Sequence, residues 1–102
     1  MQVECSHHID AGELDADGYY DYYYEYDIYR FTLGGLSLVV RSYSDTSTQA
    51  SILGLEEAGK SRALQFKDLQ RPLVQQAKAH LQELGKQDVR WFNPRYARYD
   101  PA

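Results

Sequence analysis

Residues 19–43 read YYDYYYEYDIYRFTLGGLSLVVRSY. Two runs rich in aromatic and β-branched residues flank the pair Gly34-Gly35. Such residues favour strands. Two glycines between apolar runs signal a two-residue hairpin, because both central positions of that turn need positive φ. The stretch predicts two long antiparallel strands. On the first, Tyr20, Tyr22, Tyr24, Tyr26 and Ile28 fall on one side, while Asp21, Glu25 and Asp27 fall on an acidic side suited to solvent. Beyond Ile28 the apolar parity moves to Tyr29, Phe31 and Leu33, which predicts an irregularity near Asp27–Tyr29. On the second, Leu36, Leu38 and Val40 share a face.

Downstream, Ser44–Ser47 is a turn cluster, and Thr48–Leu55 reads as a strand with Ala50 and Ile52 together. Glu56–Lys60 is a second turn, and Ser61–Phe66 a further strand with Leu64 and Phe66 inward. Residues 68–85 change period. Leu69, Leu73, Ala77, His80, Leu81 and Leu84 make a helical stripe, with Asp68 as N-cap, Pro72 in the first turn or itself at N1, and Gly85 as C-cap. Residues 88–92 form a last short strand that Asn93-Pro94 stops. Upstream, Met1–Ile9 has strand character, while Ala11–Gly18 has turn composition.

Short hairpin connections favour antiparallel pairing, since parallel neighbours need a crossover of a dozen or more residues. The expected class is α+β: an antiparallel sheet of about four or five strands with one C-terminal helix, about 68–85, on one face. Residues 1–18 form an N-terminal strand and a loop free to move, residues 19–92 the α+β domain, and residues 93–102 a tail.

The 102 residues allow one domain. Leu, Ile, Val and Phe together number 22, which leaves room for a small core only if part of the chain does most of the burying. There is no apolar run near the roughly 18 residues of a membrane span. One cysteine, Cys5, excludes an internal disulfide and fits a reducing compartment. The start MQVECSHHID lacks the basic and apolar stretches of a signal peptide, so a cytoplasmic protein is expected.

The net charge of −4 hides a bipolar chain. Residues 1–59 carry 11 acids and two bases, whereas residues 60–102 carry nine bases and four acids. Nucleic-acid binding is disfavoured, because the bases are scattered and the acidic half repels phosphates. The absence of phosphate-loop, dinucleotide, nucleophile-elbow and zinc-protease motifs gives no familiar catalytic chemistry.

Five stretches carry candidate chemistry. Tyr20, Tyr22, Tyr23, Tyr24 and Tyr26 with Asp21, Glu25 and Asp27 give broad aromatic area and carboxylates that would steer a partner with a basic surface. The plainer reading is sheet packing by the tyrosines and solvation by the acids. Cys5-Ser6-His7-His8-Ile9-Asp10 holds zinc-ligand types, yet a strand would split Cys5 and His7 from His8 and Asp10, and no second cluster completes four ligands. Glu13, Asp15, Asp17, Gly18 and Asp21 fall at loop positions of a calcium hand, but position one is Glu and position twelve is Tyr24. His80 on the apolar stripe reads first as packing and second as a titrating group. Asn93-Pro94-Arg95-Tyr96 has the spacing of peptides read by phosphotyrosine-binding-type domains, against a plain strand terminator.

The reading that follows is a non-catalytic protein–protein interaction module of adaptor, inhibitor or immunity-like kind, with no cofactor and no membrane partner. One alternative is a homodimer or larger homo-oligomer joining the acidic strand to a basic tail. Another is a small enzyme or ligand binder built on His80 or on Cys5 with His7.

Overall fold

A computed structural model describes residues 1–102. Its elements are β1 (Gln2–Ala11), β2 (Tyr23–Leu33), β3 (Leu36–Tyr43), β4 (Gln49–Glu57), β5 (Lys60–Arg62), α1 (Pro72–Glu83), β6 (Asp88–Asn93) and β7 (Arg98–Pro101). The hairpin turns as expected. Leu33 pairs with Leu36, and Gly34 and Gly35 take φ of +59° and +82°. Both values belong to a type I′ turn, whose twist matches that of the strands it joins.

The seven strands form one sheet in the order β1-β2-β3-β4-β6-β7, with β5 beside the far end of β4. This exceeds the four or five antiparallel strands expected, and one pair, β4 with β6, is parallel. The reason lies in the connection. Hairpins govern the chain up to β5, but residues 63–87 then cross over through α1 and return alongside β4 in its own direction. The end of the chain then turns back as β7 against β6.

One sheet face is covered by α1. Phe31, Leu38, Val40, Ala50, Ile52, Leu55, Val89 and Trp91 meet Leu73, Val74, Ala77 and Leu81 in a single core. Each large side chain so buried contributes roughly 1.5–3 kcal/mol. Gly54 admits the neighbouring strand, since a Cβ there would lie 2.6 Å from the Arg62 carbonyl oxygen.

The helix begins four residues later than expected. Residues 66–70 form a 3-10 turn and Arg71 is extended, at φ −65° and ψ 142°. Pro72 explains the break: its ring disfavours helical backbone in the residue before it, and it is itself accommodated at N1. Asp68 therefore does not cap α1. It is fully buried, accepting hydrogen bonds from the Gln65 backbone N–H at 2.8 Å, from Arg62 at 2.8 and 2.9 Å and from Arg71 at 2.9 Å. The expected strand at Ser61–Phe66 shortens to Lys60–Arg62. Leu64 is buried, but Phe66 is 74% exposed rather than inward.

β2 has no irregularity near Asp27–Tyr29. Its pairing with β1 and β3 runs unbroken, and the register shift lies between Val39 and Val40, where β3 meets β4. Glu25, Asp27, Tyr29 and Phe31 share one face throughout. What changes along β2 is the cover: Tyr29 and Phe31 are buried beneath α1, while Glu25 and Asp27 lie outside the core. No helix is long and apolar enough to cross a membrane.

Candidate interaction surface

β3 pairs with β2 only from Tyr26 onward, so the start of β2 and the end of β1 continue beyond it as a two-stranded ribbon. Its connecting loop is organised by Asp15. Oδ1 of that residue accepts the backbone N–H groups of Asp17 and Tyr19, both at 2.9 Å, while Gly18 turns the chain at φ +83°. Leu14 and Tyr20 form an isolated bridge. Asp15 is thus engaged with its own loop as an Asx turn.

Tyr19, Tyr20, Tyr22, Tyr23 and Tyr24 are all between 47% and 71% exposed. They belong to two groups. On the sheet face away from α1, the rings of Tyr22, Tyr24, Tyr43, Tyr26 and His8 follow one another with centroids 5.4–6.0 Å apart. The Arg41 guanidinium lies 4.7 Å from the Tyr43 centroid. Aromatic contacts at these separations stabilise beyond simple burial. Tyr20 and Tyr23 form a second pair at 5.5 Å. Tyr20, Asp21 and Tyr22 precede β2 and belong to the loop. The expected single tyrosine side is therefore a loop-to-sheet array, joined by residues that the tyrosine strand alone did not reveal. Tyr43 could have been found: a turn pairing Leu33 with Leu36 places Tyr26 opposite Tyr43.

The acids also divide. Between Ile9 and Tyr29 there are seven carboxylates and no Lys, Arg or His. Glu25 and Asp27 are spoken for: His7 Nδ1 is 2.7 Å from Asp27 and its Nε2 is 2.8 Å from Glu25. The hydrogen bond to Asp27, then that to Glu25, raises the His7 pKa above its ordinary 6.5. Asp10, Glu13, Asp15, Asp17 and Asp21 have no ion-pair partner and are exposed around the tyrosines.

The other candidates are dispersed. Cys5 and His7 face the α1 side, and His8 and Asp10 face the opposite side. Exposed Cys5 pairs across the sheet with Tyr29, whose hydroxyl is pushed up to about 12, first by burial and then by the nearby thiol. No group of three or more His, Cys, Asp or Glu is arranged to hold a metal. The half-buried His80 ring meets the edge of Phe31 at 5.6 Å. None of the four surface cavities is lined by Cys5, His7 or His80. Asn93 ends β6, donating to Asp100 and accepting from the Arg95 backbone N–H, while Tyr96 lies between Arg95 and Arg98. The Asn-Pro-x-Tyr residues thus make the turn between β6 and β7.

No family model, curated protein or solved structure matches this chain.

Proposed function

We propose that the protein is a non-catalytic interaction module whose tyrosine-rich, acidic ribbon binds another protein with a basic surface. The observation that carries this reading is five half-exposed or more exposed tyrosines, Tyr19, Tyr20, Tyr22, Tyr23 and Tyr24, set among carboxylates without ion partners. Tyrosine offers wide amphipathic contact at low entropic cost, and buried aromatic anchors dominate binding energy. Tyr22, Tyr24 and Tyr26 supply contact area on the open sheet face, and Tyr20 and Tyr23 supply it beside the loop. Asp21 and its neighbours steer a cationic partner, whereas Glu25 and Asp27 act chiefly through His7.

The test is affinity capture with the wild-type chain and with Tyr22→Ala/Tyr24→Ala. Each lost anchor should weaken a partner by roughly 30-fold, since a hot-spot residue is worth about 2 kcal/mol, and the double variant should weaken it further still. Raised salt should weaken it further through the on-rate. Recovery of the same partners at the same affinity by a folded double variant would overturn the reading.

A further inference from the structure

The free edge of β1 is unlike the rest of the sheet. β1 is ten residues long, bonded on one side only to β2, and exposed at every position but its last. Glu4 and Asp10 are its only acids, and it contains no lysine, no proline and no bulge, three of the devices that blunt an edge.

Hydrogen-bond parity shows which groups point outward. The two-residue turn makes Leu33–Leu36 a bonded pair, so the odd residues of β2 bond to β3 and its even residues bond to β1. Those even residues face Gln2, Glu4, Ser6, His8 and Asp10. The hydrogen bond from the Gly12 backbone N–H to the Tyr22 carbonyl continues the same parity. Val3, Cys5, His7 and Ile9 therefore present backbone N–H and C=O groups to the free edge.

We infer that this edge pairs with β1 of a second copy of the chain, antiparallel, about a two-fold axis at Ser6. Side-chain faces and outward hydrogen bonds both require opposed residues of like parity, which leaves few registers. Centring on Glu4 opposes two carboxylates, and centring on His7 sets Glu4 against Asp10. Centring on Cys5 sets Val3 against His7. Only the Ser6 register opposes Val3 with Ile9 and also Glu4 with His8. It matches apolar with apolar and carboxylate with imidazole, each pair twice by symmetry. Val3 and Ile9 are 39% and 58% exposed, so each gains cover. The antiparallel arrangement also sends the two acidic ribbons to opposite ends, where their charges do not meet. The interface adds roughly eight backbone hydrogen bonds through residues 3, 5, 7 and 9 of both copies.

Light scattering of the full chain should give about twice 11.8 kDa, falling on dilution. Cys5→Pro should restore the single mass, because it removes an outward N–H and leaves the bonds between β1 and β2 intact. Crosslinking is the independent check. In a Cys5→Ser background, Ser6→Cys should oxidise to a covalent dimer, since directly opposed residues bring Cβ atoms within about 5.5 Å. Gln2→Cys should not, because the two copies of residue 2 lie roughly 25 Å apart. A monomer at every concentration overturns the inference. So does a dimer that survives Cys5→Pro, and so does an assembly that gives no Ser6→Cys crosslink, the result expected if β1 instead met the β7 edge of the next copy, a pairing that Cys5→Pro would break as well.

Discussion

β2 passes through two environments, and its halves behave as different materials. From Tyr29 to Leu33 it lies under α1, where Phe31 has no exposed surface and packs with Leu38 and His80. From Tyr23 to Asp27 it lies outside that cover, with Tyr23 and Tyr24 about half exposed. Backbone pairing is continuous across the change. The strand is thus held as a strand by its neighbours along its whole length, while only one half contributes to the core. The uncovered half is free to carry residues that stability does not require.

The sharpest way to break this contrast is to truncate one aromatic in each half. Phe31→Ala should cost about 3–5 kcal/mol, the range for emptying a buried aromatic site. Tyr24→Ala should cost below about 1 kcal/mol, since water already reaches much of its ring. Denaturant unfolding measures both. Equal losses would mean that the ribbon is part of the cooperative core.

Next in size is the polar anchor of the connection that leads into α1, the helix covering the other half. Hydrogen bonds from Arg62, from the Gln65 backbone and from Arg71 hold the Asp68 carboxyl well below the usual carboxylate range, against the opposing effect of its burial. A depressed folded pKa gives stability that is present above the unfolded value of 3.8 and lost as pH falls. Both arginines remain about 40% exposed, so water screens their charge. Asp68→Asn should therefore cost about 2 kcal/mol at neutral pH. The gap between variant and wild type should narrow in thermal melts below pH 4. A constant gap would remove the ionised carboxylate as the cause.

Much of the covered half could be read from residues 34–60, because Gly34-Gly35, the apolar alternation and the Ser44–Ser47 turn act locally. Three features could not. The parallel partner of β4 depends on where a helix lays the chain down, and no short-range signal encodes that. The parity change at Ile28 suggested a bulge, because sequence shows which residues are apolar but not where the helix stops covering them. The role of Asp68 was obscured by its place just before an apolar stripe, where an acid resembles a cap. In the ribbon, the exposed tyrosines were visible at once as composition. Their array with Tyr43 and His8, and the engagement of Glu25 and Asp27 by His7, required strand register.

The smallest effect expected is at His7, where the uncovered half has its own electrostatics. Asp27 lies directly opposite and Glu25 two residues along, so protonated His7 donates to both carboxylates. Its pKa is raised by these bonds, so the stabilisation is complete below 6.5 and fades as pH rises through the higher folded value. The site is open to water, and the effect on global unfolding should be slight. It should be plain in an NMR titration of the imidazole. Asp27→Asn should lower the His7 midpoint more than Glu25→Gln does, since Asp27 contributes the larger share. A midpoint at or below 6.5 in the wild type would mean that the ribbon does not hold this clamp in solution, and that its first turn of pairing frays where α1 no longer covers it.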